Sequence, residues 1–268
     1  MTTATATPRA TRGRYGFAQV ARMEWIKLRS LRSTWWTLAI TIAGTIGIGI
    51  AVGLNTRNPS SDLTSNALAG IVPGLLLAGV LGVLTMTSEY TSGMIRATLA
   101  AAPRRPLVLA AKAAVFAAVM LVAGEAAAFV SFVAGGATLR SGIAAPTLGQ
   151  PGVLRAVLLC GASFCLIGLI GLGVGTIVRH SAAAIAVLVG GVYVAATFAG
   201  NISRPVGSYM PIMIVGNSLS TTKPETCENA GAACPHLWLP AWTGLGLLCL
   251  YAAVALAAGG WLLARRDA

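Results

Sequence analysis

Side chains able to do chemistry are few and widely spaced in this sequence. It has two histidines, His180 and His236, which lie far apart, so a metal site would lack ligands. The sequence contains no GxxxxGKS/T phosphate-binding loop, no HExxH zinc motif and no GxSxG nucleophile motif. We therefore expect no catalysis by this chain alone, and no metal or cofactor bound to it.

Glu125 is the one acidic residue inside a long apolar run. A charged acid near the centre of a bilayer costs ~2.5–3.5 kcal/mol on insertion scales. Lys112 lies in the same run but is ~20 Å away along a helix, so the two cannot pair within it. Glu125 is therefore expected to face protein or a water-filled path, as part of a substrate route. A protonated or hydrogen-bonded packing residue is the alternative.

Cys227 and Cys234 lie in the longest polar loop, which the charge pattern below places outside the cell. Thiols in an oxidising compartment form disulfides. A disulfide between these two cysteines is predicted, and two free thiols are the alternative.

The composition is that of a membrane protein. Of the 268 residues 56% are hydrophobic and 10% are charged, whereas soluble domains carry about 25% charged residues. Several apolar runs reach the ~20 residues that a helix needs to cross a bilayer, and segments with the alternating pattern of a membrane barrel are absent. The net charge of +12 comes mostly from basic residues beside apolar runs, where they meet anionic lipid headgroups. We therefore predict an all-α polytopic membrane protein that contacts lipid and binds no nucleic acid.

Six apolar runs divide the chain and predict a transmembrane domain over 35–263. The predicted spans are about 35–54, 67–87, 107–134, 153–178, 182–200 and 241–263. The segments on the side of both termini hold 13 of the 19 Lys and Arg residues, and the opposite loops hold four. Basic segments stay in the cytoplasm, so both termini are predicted to be cytoplasmic, with a disordered tail over 1–16 and a short tail over 264–268.

Residues 17–34 are predicted to form an amphipathic helix at the membrane interface. On a helical wheel its apolar residues share one broad face. Glu24 falls on that face and interrupts it, and would have to pair with Lys27 or meet another part of the protein. A basic collar in front of the first span is the alternative to an interface helix.

A polar, basic segment, 88–112, separates the second and third runs. Ser88 is expected to cap a short helix with Glu89 in its first turn, since acidic side chains suit that end of the helix dipole. Gly93 permits a bend, and Pro103 is expected to end the helical stretch. With both termini in the cytoplasm, this segment is also cytoplasmic, and it is large enough to be bound by a soluble partner protein.

Two stretches resemble the ABC-2-type transporter permeases. Residues 89–99 read EYTSGMIRATL, and with PRR at 103–105 and Lys112 they resemble the segment after the second span of that family. Residues 24–28 read EWIKL and resemble its N-terminal interface helix. The layout of six spans with both ends inside is similar as well. The resemblance implies the permease subunit of a bacterial ATP-driven exporter, located in the plasma membrane.

The same resemblance implies the partners. The permease would form its substrate path in a dimer with a second copy or a related chain, and a separate ABC ATPase, holding ATP and Mg, would drive it. Two other functions remain open: an ion-coupled secondary transporter, and a non-transporting membrane scaffold or immunity protein. Carried over residue by residue, contacts to the ATPase fall on five positions: Glu24, Lys27, Glu89, Gly93 and Arg96.

Overall fold

The computed structural model describes residues 16–57, 62–139, 143–195, 198, 204–221 and 239–265. These residues are α-helical with short connections and contain no β-strand. The helices are α1 (Phe17–Ser30), α2 (Arg32–Asn55), α3 (Leu63–Ala67), α4 (Ile71–Thr91), α5 (Met94–Ala101), α6 (Arg105–Ala137), α7 (Val153–Val178), α8 (Ser181–Val189), α9 (Arg204–Ser208), α10 (Pro211–Leu219) and α11 (Ala241–Arg265). A π-helical turn, Gly190–Val194, continues α8.

Five helices are long and apolar enough to cross a membrane: α2, α4, α6, α7 and α11. They have 21 to 33 residues, and the most apolar 18-residue stretch of each helix has a mean hydropathy of 1.9 to 2.4. The expected all-α, multi-pass character is confirmed at this level. The fifth predicted span, 182–200, corresponds to α8 and its π-helical turn, and the part of it that the structure describes as one helix, Ser181–Val194, is shorter than the five long helices. The six-span count therefore stays a prediction.

Helix α7 lies at the centre of the bundle. It packs against α4, α6 and α11. In its most apolar 18-residue stretch 72% is buried inside the protein, compared with 28% in the corresponding stretch of α2 and 22% in that of α11. Its backbone touches α4 at two places: a Cβ on Gly82 would overlap the carbonyl of Gly168, and one on Gly171 would overlap that of Gly79. Glycines here allow two helices to approach more closely than side chains would permit.

The two ends of the bundle differ in charge. At one end, Arg105 Nη1 donates to the Leu263 carbonyl at 3.0 Å, which joins the start of α6 to the end of α11. At the other end, the Asp62 carboxylate accepts from the Thr221 N–H at 2.7 Å, and Arg155 donates to the Ser220 carbonyl at 2.9 Å. Most described arginines lie at the first end, called here the basic end: Arg22, Arg29, Arg32, Arg96, Arg104, Arg105, Arg179 and Arg265.

The expected helix start at Ser88 is wrong. Helix α4 continues to Thr91, so Glu89 lies in its last turns and not in a first turn. The break falls at Gly93, which has a positive φ of 69° and precedes α5. Glycine adopts this left-handed conformation without the steric cost of a Cβ. Helix α5 ends at Ala101, before Pro103, as the sequence predicts.

Four predictions fall wholly or partly outside the described residues. The Cys227–Cys234 disulfide lies outside them, as do residues 1–15 and 266–268 of the two predicted tails and residues 196, 197, 199 and 200 of the span predicted over 182–200. Helix α1 covers most of the predicted interface helix, and its location at a membrane surface remains a prediction.

Candidate functional site: a buried four-charge cluster

Four charged side chains from three helices meet at the basic end. Lys112 of α6 donates to Glu24 of α1 at 2.5 Å and to Glu89 of α4 at 2.8 Å. Lys27 of α1 contacts the same two acids, at 2.9 Å to Glu24 Oε1 and 3.0 Å to Glu89 Oε1. Each lysine thus bridges both acids, and the four residues form a closed ring, called here the four-charge cluster.

Thr98 joins a fourth helix to the cluster. Lys27 Nζ donates to Thr98 Oγ1 at 2.9 Å, and the Thr98 hydroxyl donates to the Met94 carbonyl within α5 at 3.1 Å. Thr98 is buried, whereas Gly93 and Arg96 are exposed. Helix α5 therefore has one side held by the cluster and another open to a partner.

Helix α1 turns its acid inward. Its buried residues are Val20, Glu24 and Leu28, spaced four apart and hence on one face. Val20 packs with Val108 and Ala111 on α6. The interruption seen in the helical wheel at Glu24 is thus the centre of the packed face, because the acid meets two lysines there.

The opposite side of α1 faces away from the bundle. Trp25 is 43% exposed and Ile26 57%, and Arg22 and Arg29 are exposed beside them. Apolar side chains beside arginines are typical of a helix at the headgroup level of a bilayer.

The cluster balances its own charge. Two carboxylates face two ammonium groups, and Glu24 and Lys112 are 3% and 4% exposed. Taking single charges out of water costs several kcal/mol each, so each of these groups depends on its partners. Burial lowers the pKa of Lys27, but hydrogen bonds and charge from Glu24 and Glu89 outweigh it and hold that pKa above its ordinary value.

One acceptor in the cluster is unused. Glu89 Oε1 accepts from both lysines, whereas Glu89 Oε2 is buried and has no hydrogen-bond partner in the described part of the chain. A buried carboxylate oxygen without a donor is costly. Glu89 Oε1 is therefore fully used by the two lysines, whereas Glu89 Oε2 could accept a hydrogen bond from one further donor.

The residues predicted to contact an ATPase fall into two groups. Glu24, Lys27 and Glu89 belong to the four-charge cluster, and their polar contacts lie inside the chain. Gly93 and Arg96 lie on the exposed side of the break between α4 and α5. A contact role for all five stays a prediction. In this arrangement the first three would act through the packing of α1, and only the last two present an open surface.

Lys112 and Thr98 are cluster members that sequence reasoning did not assign to the site. A signal for Lys112 was present: it is a cation in an apolar run, and such a group needs a counter-charge. Glu24 was the matching signal on the apolar face of α1. The two lie 88 positions apart, so the sequence alone did not pair them.

Glu125 lies elsewhere, on α6 where it faces α7. Its carboxyl group rests on the backbone of Gly161, since a Cβ there would overlap it. Glu125 Oε2 is buried and has no hydrogen-bond partner among the described residues. The structure therefore does not bring Glu125 to the four-charge cluster, and its predicted place in a substrate path remains untested.

No protein-family model matches this sequence, and a search of the curated proteins finds no significant match. Within the described residues, no group of three or more His, Cys, Asp or Glu side chains is placed to hold a metal ion. The arrangement at the basic end is a set of ion pairs between helices.

Proposed function

We propose that this chain is the permease subunit of an ATP-driven exporter of the ABC-2 type. It works in a dimer with a second copy or a related chain, and separate ATPase subunits, which bind ATP and Mg, drive it. The observation that carries this proposal is the four-charge cluster. It ties α1 and α5, which lie outside the five long apolar helices, to α4 and α6, which are two of them.

Ion pairs between these helices can transmit a movement of α1 or α5 to the membrane-spanning helices α4 and α6. Separating α1 from α4 and α6 would break two ion pairs at once, Lys112–Glu24 and Lys27–Glu89, and breaking buried ion pairs is costly. A force on α1 or α5 therefore moves α4 and α6 with them, because sliding one element alone is more costly. The outer side of α5, with Gly93 and Arg96, is where the ATPase docks.

Movement of α4 is then passed to α7, the helix at the centre of the bundle. Helix α4 touches α7 through backbone contacts at Gly82 and Gly79, with no side chains between to yield. Close-packed interfaces shift as units and do not deform gradually. Rotation of α4 therefore moves α7, and the substrate path alternates between closed and outward-open states.

The basic end faces the cytoplasm of a bacterial cell in this proposal. Its arginines agree with the retention of basic segments inside. Six spans, the fifth containing Ser181–Val194, then leave both termini inside, on the side of the ATPase.

One observation favours a second candidate, an ion-coupled secondary transporter. Glu125 carries a buried carboxylate oxygen without a partner in a span, and unpaired intramembrane acids are typical of proton and cation paths. In that case transport would depend on a proton gradient and would stop in Glu125→Gln, with no ATPase needed.

The experiment that tests the proposal is affinity purification of the chain from native membranes in mild detergent with ATP present, followed by mass spectrometry. An ABC ATPase in stoichiometric amount is expected. Arg96→Glu should reduce its recovery, whereas the matched charge reversal Arg22→Glu, on the outer side of α1, should not. Recovery of the chain alone would contradict the proposal and favour the secondary transporter.

A further inference from the structure

A short segment lies against the half of the bundle opposite the basic end. It comprises residues 209–221, called here the strap, and contains α10. Its apolar side faces the bundle, because Ile214 and Val215 are fully buried and Leu219 is 3% exposed. Ile214 rests on α11, since a Cβ on Gly244 would lie 2.7 Å from its side chain. The strap therefore covers apolar surface of the bundle, although it is not one of the five long helices.

A peptide unit at the end of the strap lies between two opposite charges. Arg155 Nη2 of α7 donates to the Ser220 carbonyl at 2.9 Å, and the Thr221 N–H donates to Asp62 Oδ2 at 2.7 Å. The Thr221 hydroxyl donates to Asp62 Oδ1 at 3.1 Å. These hydrogen bonds lie outside α10, which ends at Leu219. Breaking them would therefore leave that helix intact.

The acid and the base keep favourable contacts if the strap leaves. Asp62 caps α3 and accepts from the Ser65 N–H at 3.0 Å. Arg155 Nε is buried and has no hydrogen-bond partner among the described residues. One peptide unit separates the two charged groups, so Arg155 Nη2 and Asp62 Oδ2 lie no more than about 8 Å apart. Rotation of the arginine side chain can close this gap, and a guanidinium then matches a carboxylate with two parallel hydrogen bonds.

We propose that Asp62 and Arg155 form a two-position latch for the strap. In the closed position, which this structure shows, each holds one side of the same peptide unit. In the open position they pair with each other, and the end of the strap lifts away from the bundle. Its start stays bonded to α11, because Tyr251 Oη donates to the Tyr209 carbonyl at 2.9 Å. The proposal holds for either transport function, since it rests on contacts within the chain.

The test measures how fast N-ethylmaleimide modifies a cysteine on the buried side of the strap. Val215→Cys replaces a fully buried residue, and peptide mass spectrometry of the purified full chain distinguishes position 215 from the native cysteines. The charge exchange D62R/R155D makes both closed contacts repulsive but keeps an opposite pair for the open position. It should raise the rate at position 215 about tenfold or more, because a hydrogen bond to a charged group contributes at least that factor.

Thr221→Pro opens the latch without changing either charge. It removes the N–H that Asp62 accepts from, and the extended backbone of Ser220, with ψ at 131°, tolerates a following proline. This variant should also raise the rate at position 215. An unchanged rate in both D62R/R155D and Thr221→Pro would overturn the proposal.

The matched control is D62N/R155Q. Asparagine still accepts from the Thr221 N–H and glutamine still donates to the Ser220 carbonyl, but the two neutral side chains form no ion pair in the open position. The rate at position 215 should therefore not rise above that of the wild-type latch. A rate as high as in D62R/R155D would overturn the proposal, because the strap would then be loosened by altered packing alone.

A second buried cysteine separates opening of the strap from unfolding of the chain. Ala111→Cys lies at the basic end, where Ala111 is fully buried. Position 111 should react equally slowly in every latch variant. A rise there that matches the rise at position 215 would also overturn the proposal, because the whole bundle would then be opening.

Discussion

Lys112→Met should be among the most damaging single substitutions at the basic end. The side chain is 4% exposed and forms ion pairs with Glu24 and Glu89 at 2.5 and 2.8 Å. Its removal leaves two buried carboxylates to share Lys27. Breaking a buried ion pair by removing one partner costs about 3–5 kcal/mol. For a chain of this size each kcal/mol shifts the melting temperature by about 2–4 °C, so we expect a loss of roughly 10 °C.

A second variant separates charge imbalance from lost packing. Glu24→Gln combined with Lys112→Met leaves one acid, Glu89, facing one lysine, Lys27, and restores neutrality. The double variant should therefore be more stable than Lys112→Met alone, although it has lost two native side chains. The assay is thermal loss of the monodisperse peak in size-exclusion chromatography of the detergent-solubilised chain. If the double variant melts at or below the temperature of Lys112→Met, the four side chains do not act as one balanced set.

Three further predictions follow from single positions. The pKa of Lys27 is higher in the folded chain than its unfolded value of about 10.5. The stabilisation from its charged form is therefore complete below the unfolded pKa and is lost as the pH rises through the higher folded pKa. Thermal scans across this alkaline range should show a fall in melting temperature, and Lys27→Gln should reduce that fall. Gly82→Ala should destabilise by about 1–3 kcal/mol because its Cβ meets the Gly168 carbonyl, whereas Gly47→Ala, which meets nothing within 4 Å, should melt like the wild type. Gly93→Ala should cost about 1–2 kcal/mol from its left-handed backbone alone, since its surroundings are open; a melting temperature equal to that of the wild type would show that the break between α4 and α5 adopts another conformation.

Sequence patterns predict the long helices well because span length and apolarity are local properties. The predicted run 153–178 coincides with the bounds of α7, and 241–263 lies within α11. The short helices at the basic end follow the sequence less closely. Nothing local requires α4 to continue past Ser88, because Glu89 is unfavourable near a helix C-terminus by the dipole argument. Its pairing with two lysines from other helices outweighs that cost.

The four-charge cluster shows what a single sequence leaves open. Glu24 and Lys112 are charged residues in apolar sequence surroundings, and each therefore indicates a partner of opposite charge elsewhere in the chain. Which partner it is depends on how α1 packs on α6, and that packing involves Val20 of α1 against Val108 and Ala111 of α6, far along the chain. Thr98 gives no comparable signal, since a threonine in a short helix is unremarkable by composition.

The most direct test of the central claim is site-specific photo-crosslinking in native cells. A photoreactive amino acid replaces Ala97, which is exposed next to Arg96 on α5, or, as a control, Ile40, which is 60% exposed on the apolar helix α2. We expect an adduct with an ATP-hydrolysing protein at position 97 and none at position 40. An absence of any adduct at position 97, with the photoreactive chain present in the membrane in normal amount, would contradict the docking of an ATPase on α5.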